Sequence, residues 1–339
     1  MSPGSYKKQI PYLDGWRGVA IGMLLIGHFF PVPGINLGQL GVNLFFVLSG
    51  LLMAKILFIE HVPIPGFYQR RISRIFPALY VFIILIVFLR LVTGSGVDVK
   101  ETAAAATFLI NYFPGEPGNA VMPFGHIWSL CVEEHSYILL SLIAMATRTG
   151  HISARLGIVA CTVIFALAGM FYWATYDGAH LSFDRWIHSE VAAFGIFASA
   201  AFVVFLNRKN LTRVPRMSAP GLILLGCAMH WWSVPAPVQL IIGVGAFALA
   251  ANLLETAPQW ILSILSTPLL RQLGLWSFSI YIWQQPFYLA VHGGKMSTAF
   301  GLISGVVCGV ASFYVIEEPA RRLINARWST ARPVLASQS

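Results

Sequence analysis

The chain has few charged residues. Asp, Glu, Lys and Arg make up only 10% of its 339 residues, whereas an average soluble domain carries about a quarter. Hydrophobic residues account for 57% of the chain, and its mean hydropathy is +0.72. This shortage of charge excludes an ordinary soluble domain and indicates a membrane protein.

Cysteine is also scarce. The chain has four cysteines, Cys131, Cys161, Cys227 and Cys308, which all lie in apolar stretches and form no CxxC pair. Buried free thiols are the favoured interpretation, because cysteine commonly packs as a small apolar residue. We therefore expect neither a redox centre nor a bound metal.

Long apolar runs, by contrast, recur along the whole chain. A helix needs about 20 apolar residues to cross a bilayer. Ten runs meet or approach this length, at residues 17–34, 40–59, 75–93, 127–146, 154–173, 190–206, 217–233, 236–254, 273–292 and 298–316. The sequence predicts an all-α, polytopic transmembrane bundle of about ten spans. The connections are short, so residues 1–339 are expected to form a single transmembrane domain with no appended soluble domain.

The basic residues predict the orientation of the bundle, because cytoplasmic loops collect Lys and Arg. With the N-terminus inside, ten spans leave only four of the 22 basic residues outside: Arg90, Lys100, Arg185 and Lys295. This asymmetry favours an N-in/C-in arrangement. Basic loops beside anionic membrane lipid then explain the net charge of +9, and no nucleic-acid partner is expected.

Adjacent carboxylates, Glu133 and Glu134, lie inside the otherwise apolar stretch 126–146. His28 and Arg17 lie in the first apolar segment. Ionisable side chains within a membrane span are costly and usually face the protein interior or a wet cavity. These four residues are therefore the first candidates for a functional site.

Helical spacing brings the candidates to comparable depths. Arg17 and His28 are eleven residues apart, so they share a helical face and lie about 16 Å apart along its axis. The fourth span runs the opposite way and places the acids roughly 10 Å below its outer end. We expect His28 to act as a general base that Glu133 or Glu134 orients. The alternative is that His28 only forms a hydrogen bond between helices, and the choice between the two acids stays open.

A basic cluster precedes the third apolar run. Arg71 and Arg74 share a helical face, with Arg70 beside them. Arginine binds phosphate oxygens in a bidentate manner, so the cluster is consistent with a phosphorylated cytosolic ligand. Anchoring to lipid headgroups explains the same cluster without a ligand.

Six stretches of this chain resemble the acyltransferase 3 family, whose members are integral-membrane enzymes that O-acylate carbohydrates and some other acceptors. They follow the family's order and cover nearly the whole chain. The stretches are YLDGWRGVAIGMLLIGH (12–28), GVNLFFVLSGLLM (41–53), FYQRRISRIFPALY (67–80), HIWSLCVEEHSY (126–137), LGLWSFSIYIWQQPF (273–287) and EEPARRL (317–323).

The resemblance implies a role for each candidate residue. His28 corresponds to the catalytic histidine, Arg17 to its companion in the first helix, and Glu134 with Glu133 to the family's acidic motif. Arg71 and Arg74, with the neighbouring Arg70, correspond to the basic motif near the acyl-CoA phosphates. These roles imply acyl-CoA, most simply acetyl-CoA, as the donor and a carbohydrate or lipid-linked glycan as the acceptor. They also imply a multi-pass protein of the bacterial cytoplasmic (inner) membrane that modifies a surface polysaccharide.

The chain departs from the family pattern in one span. Many members carry a histidine before the proline of a YxxYLxHxP-like segment, but this chain reads Tyr281-Ile282-Trp283-Gln284-Gln285-Pro286. It therefore has no second histidine at that place. Ser49 lies in the matching second-span motif without a GxSxG elbow, so we interpret it as a packing residue.

The mechanism that we expect is acyl transfer from a cytosolic thioester to a glycan hydroxyl. His28 would take the proton of that hydroxyl or carry the acyl group itself, and the sequence leaves both routes open. The competing function is a transporter or flippase for a lipid-linked glycan, which would also have many spans and charges inside the membrane. Release of CoA thiol that depends on the acceptor distinguishes the enzyme from the transporter.

Overall fold

A computed structural model of the chain describes residues 10–113, 122–175, 183–206 and 214–330. These residues form helices and no β-strand, which confirms the all-α class. The helices are α1 (Pro11–Phe29), α2 (Leu37–Ile59), α3 (Ile64–Val92), α4 (Val99–Ala106), α5 (Gly125–Arg148), α6 (Ala154–Thr175), α7 (Phe183–Trp186), α8 (Ser189–Phe205), α9 (Ser218–Met229), α10 (Ala236–Thr256), α11 (Gln259–Leu265), α12 (Pro268–His292) and α13 (Thr298–Trp328). Each of the ten apolar runs therefore coincides with one of the longer helices.

Local sequence signals set where several helices begin. The Asn36 side chain accepts a hydrogen bond from the backbone N–H of Gln39 at 2.9 Å and caps α2. Asp98 caps α4 in the same way, through the N–H of Glu101 at 2.9 Å. Pro11 and Pro268 occupy the first positions of α1 and α12, where a missing N–H costs no hydrogen bond.

Six helices in the described ranges are long and apolar enough to cross a membrane: α2, α3, α5, α6, α10 and α13. The helices α8 and α9 are apolar but shorter. The helices α1 and α12 coincide with the first and ninth expected spans and carry more polar residues. A multi-pass helical membrane protein is thus supported, whereas ten spans and the N-in/C-in orientation stay predictions. Some basic residues counted for that orientation lie outside the described residues: Lys7, Lys8, Arg208, Lys209, Arg213 and Arg332.

Small residues allow α12 and α13 to pack closely. A Cβ atom added to Gly309 would lie 2.5 Å from the Cα atom of Ile280, and one added to Gly305 would lie 3.1 Å from the Cα atom of Gln284. Gly18 approaches the backbone carbonyl of Leu270 in the same manner, so α1 also packs closely against α12. These contacts show that Gly18, Gly305 and Gly309 serve helix packing, whereas a Cβ atom added to Gly22 would meet no atom within 4 Å.

The last long helix changes its winding near its middle. Residues Phe313–Glu317 have π-helical geometry, and Glu317 at the end of this segment is buried. Insertions of this kind redirect side chains and are frequent at functional sites. The carboxylate of Glu317 consequently points into the bundle, where it accepts a hydrogen bond from the Ser279 hydroxyl at 2.7 Å.

Candidate active site

Five of the seven predicted site residues line two neighbouring cavities in the bundle. The histidine cavity, of about 490 Å³, is bordered by His28 at the end of α1. The arginine cavity, of about 80 Å³, is bordered by Arg17, Arg71 and Arg74. Val42 and Tyr281 border both cavities. The expectation that Arg17 and His28 face the protein interior is therefore met, although they face different cavities.

His28 is held by a glutamine. Its Nδ1 atom lies 3.0 Å from Oε1 of Gln284 on α12. The Gln284 amide nitrogen donates to Oε1 of Gln285 at 3.2 Å, which leaves Gln284 Oε1 free to accept from His28. The proton of a neutral His28 then resides on Nδ1, and Nε2 keeps its lone pair. The ring of Tyr288 lies against the imidazole, with 4.7 Å between the ring centroids.

Gln284 stands where the YxxYLxHxP-like pattern has its histidine. The side chain of Gln284 is fully buried, and the close approach of Gly305 fixes its backbone. The residue that departs from the pattern is thus a neutral amide that contacts His28 directly.

Glu133 and Glu134 do not contact His28. They flank Arg71, whose Nη2 atom lies 3.2 Å from Glu133 Oε2 and 3.3 Å from Glu134 Oε1. The Arg71 guanidinium also lies 3.8 Å above the ring of Tyr137. The expectation that one of the acids orients His28 is therefore wrong in its geometry. Three charges inside a bundle are stabilised most strongly by one another, so the acids pair with the nearest arginine.

Ser49 belongs to this ionic cluster. Its hydroxyl donates to Glu133 Oε1 at 2.6 Å, and its side chain borders the arginine cavity. The interpretation of Ser49 as a packing residue is too narrow, because it supplies one of the hydrogen bonds of a half-buried carboxylate.

The remaining arginines differ in environment. Arg17 forms an ion pair with Asp14, one helical turn earlier, at 3.5 Å. Arg74 borders the arginine cavity, whereas Arg70 is exposed and borders neither cavity. The structure therefore brings Arg17, Arg71 and Arg74 together and leaves Arg70 apart from them.

Tyr281 forms part of the wall between the cavities. Its hydroxyl donates to the backbone carbonyl of His126 and lies 2.7 Å from the Ser129 hydroxyl. These contacts fix the first turn of α5 against α12. The neighbouring His126 ring borders the histidine cavity, with its centroid 5.2 Å from that of the Tyr281 ring.

Two side chains of the histidine cavity, His126 and Glu101, are not among the predicted site residues. His126 opens the stretch HIWSLCVEEHSY, but a single histidine at the start of an apolar run is a weaker signal than the acid pair within the same run. Glu101 lies in the short helix α4, outside the candidate spans, so the hydropathy of the sequence does not predict that its side chain is buried. Burial raises the pKa of the Glu101 carboxyl to about 7, and the nearby Asp98 acts in the same direction.

No group of three or more His, Cys, Asp or Glu side chains that could hold a metal ion occurs within the described residues. All four cysteines are free thiols, and Cys131 is buried.

Comparison with known proteins identifies similar sequences. A family model described as "Acyltransferase domain" (Acyl_transf_3) matches residues 10–317. A protein of Staphylococcus aureus strain COL, provisionally named an O-acetyltransferase, is 28% identical over 359 residues, which cover 94% of this chain and 58% of the relative. BcsY of Komagataeibacter xylinus, provisionally named a membrane-bound transacylase, is 25% identical, with 90% of this chain and 81% of the relative covered.

The O-acetyltransferase OatA of Staphylococcus aureus strain NCTC 8325 is 24% identical, with 93% of this chain and 58% of OatA covered. The chain thus spans less than two thirds of the length of these staphylococcal relatives. No solved structure gives a significant match.

Proposed function

Because the chain belongs to the acyltransferase 3 family, we propose that it transfers an acyl group to a hydroxyl of a glycan. The donor is a cytosolic acyl-CoA, most simply acetyl-CoA. The acceptor is a carbohydrate, either a surface polysaccharide or a lipid-linked glycan. The names of the similar proteins, O-acetyltransferase and transacylase, support this reaction class.

His28 is the proposed general base. The hydrogen bond to Gln284 favours the tautomer with a lone pair on Nε2, which can accept the proton of an acceptor hydroxyl. The deprotonated oxygen attacks the thioester carbonyl carbon, a C–O bond forms and the C–S bond breaks. The CoA sulfur then takes the proton from the His28 imidazolium, so that the products are the O-acyl glycan and CoA thiol.

The arginine cavity is the proposed entrance for the donor. It is bordered by Arg17, Arg71 and Arg74, and a guanidinium can bind a phosphate through two parallel hydrogen bonds. Since Glu133 and Glu134 already engage Arg71, we assign the direct phosphate contacts to Arg74 and Arg17 and a supporting role to Arg71. The narrow cavity suits the slender pantetheine arm, which would carry the thioester past Tyr281 towards His28.

The proposed setting is a bacterial inner membrane, crossed ten times with both chain ends in the cytoplasm. In this orientation the start of α3, with Arg71 and Arg74, faces the cytosolic donor. The end of α1, with His28, lies towards the outer surface and its glycans. The alternative of a glycan transporter gains no support from the similar proteins, which are named for acyl transfer.

The observation that carries the proposal is the half-buried His28, held by Gln284 at the edge of a cavity of about 490 Å³. The test uses the purified full-length protein, labelled acetyl-CoA and membranes or glycans of the host as acceptor. We expect His28→Ala to slow acetyl transfer by about a hundredfold or more, because the proton acceptor is lost. His151→Ala, which replaces an exposed histidine, is the matched control and should transfer at the parental rate. Parental activity in His28→Ala would contradict the mechanism.

A further inference from the structure

The histidine cavity holds a buried imidazole that the proposed mechanism does not use. His126 is only 5% exposed and borders the cavity, yet neither of its ring nitrogens has a hydrogen-bond partner among the described residues. The backbone of Ile282 lies close to the ring without reaching hydrogen-bonding geometry. Since buried polar groups are almost always satisfied, at least one nitrogen of His126 is left for a ligand.

Glu101 offers a second polar group in the same cavity. Its side chain is 5% exposed, and its carboxylate accepts one long hydrogen bond, from the backbone N–H of Met122 at 3.4 Å. Among the described residues it has no cationic partner within ion-pair distance. A carboxylate in this setting can bind a hydroxyl more strongly than a neutral acceptor would.

The rest of the lining suits a sugar. The amides of Gln39 and Gln285 add both donors and acceptors, and Trp128 and Trp232 add flat apolar surfaces. A volume of about 490 Å³ lies in the usual range for a small-molecule site. A pyranose ring presents hydroxyls at its edge and apolar C–H groups on its faces, which matches this mixture of amides, carboxylate and indole rings.

We propose that the histidine cavity binds one sugar residue of the acceptor, and that His126 and Glu101 hold its hydroxyls while His28 faces the hydroxyl that is acylated. The proposal rests on the proposed function and names the binding residues for its acceptor. The donor enters from the arginine cavity, so the two substrates approach His28 from different sides of Tyr281.

The experiment separates acceptor binding from donor binding in the purified full-length protein. The probes are methyl β-glucoside and methyl N-acetyl-β-glucosaminide, and the readouts are acetyl transfer from acetyl-CoA and tryptophan fluorescence, because Trp128 and Trp232 border the cavity. We expect His126→Leu and Glu101→Gln to raise KM for the glycoside about tenfold, which is the loss of one good hydrogen bond. KM for acetyl-CoA should stay unchanged.

The control variants are His126→Gln, which keeps a hydrogen-bonding side chain and should recover most of the affinity, and His151→Leu on the exposed surface. Unchanged KM values in both His126→Leu and Glu101→Gln would overturn the assignment, and so would a parent protein that binds neither glycoside. Glycoside binding without acetyl transfer would instead contradict the proposed function and leave the cavity assignment intact.

Discussion

At the scale of single residues, the central feature is that a neutral amide holds His28. A glutamine fixes the tautomer of the imidazole but, unlike a carboxylate, brings no negative charge to its protonated form. In the proposed reaction, no carboxylate contacts the imidazolium that forms during transfer, which favours prompt donation of its proton to the departing sulfur.

The first prediction concerns this partner. Gln284→Leu should reduce acetyl transfer about tenfold, because His28 loses the hydrogen bond that fixes its orientation and tautomer. Gln284→His restores the residue type of the family pattern and should retain more activity than Gln284→Leu. The rates are measured with labelled acetyl-CoA, and circular dichroism checks that both variants fold. A parental rate in Gln284→Leu would show that the contact is dispensable.

The second prediction concerns the ionic cluster. Arg71→Met leaves Glu133 and Glu134 without their cation, and removing one partner of a buried ion pair costs about 3–5 kcal/mol. We expect a lower midpoint of thermal unfolding in detergent. Adding Glu133→Gln and Glu134→Gln to Arg71→Met should recover part of the loss. A single variant as stable as the parent would refute a structural role for the cluster.

The third prediction follows from the raised pKa of Glu101. Its pKa is about 7 in the folded protein and near 4.5 in the unfolded chain. The folded state therefore holds the proton more tightly, and its stability falls as the pH rises from about 4.5 through 7. The unfolding midpoint of the parent protein should therefore fall by about 5 °C over this pH range. Glu101→Gln removes this titration, so the midpoint of the variant should fall by less. If the unfolding midpoints of the parent and of Glu101→Gln fell equally with pH, other titratable groups would be responsible.

The sequence identified the polar residues but not their partners. Helical spacing and the cost of charge in a membrane were enough to predict that Arg17 and His28 face the protein interior. Pairing depends on tertiary distances, and Gln284 is 256 positions from His28. The acids were assigned to His28 on depth alone, whereas the closer positive charge of Arg71 engages them.

At the scale of helices, hydropathy located each long helix of the described residues but did not define where the helices begin and end. The third run was expected at 75–93, but α3 begins at Ile64, because the polar turn that contains Arg70 and Arg71 is also helical. The short helix α4 could not be predicted as part of the site, since only its tertiary packing buries Glu101.

The fourth prediction tests the contact between α12 and α13. Gly309→Ala would force a Cβ atom to 2.5 Å from the Ile280 backbone, so the helices must separate and thermal stability should drop by about 1–3 kcal/mol. Gly22→Ala is the matched control, because the added Cβ meets no atom within 4 Å. Thermal unfolding in detergent compares them, and equal midpoints would disprove close packing at Gly309.

At the scale of the whole molecule, the proposed reaction depends on which side each cavity faces. Lys295 lies in the connection between α12 and α13, at the same end of α12 as His292, and His151 lies between α5 and α6. Both side chains are exposed. With the N-terminus inside, these connections face opposite compartments.

The fifth prediction uses this pair in a cysteine-free background. In intact cells, a membrane-impermeant maleimide should label Lys295→Cys and should label His151→Cys only after the membrane is permeabilised. The reverse pattern would place His28 on the cytoplasmic side and contradict the proposed direction of transfer.

The wall formed by Tyr281 and Val42 has a consequence for the energy balance of the cell. If an enzyme joined a cytosolic compound to an external one through a wide open channel, ions would leak through that channel and the ion gradients across the membrane would be lost. In the proposed reaction, the Tyr281 ring and the Val42 side chain, which border both cavities, would separate a cytosolic chamber from an external one, so that an acyl group could be exported while protons and salt stay on their own sides.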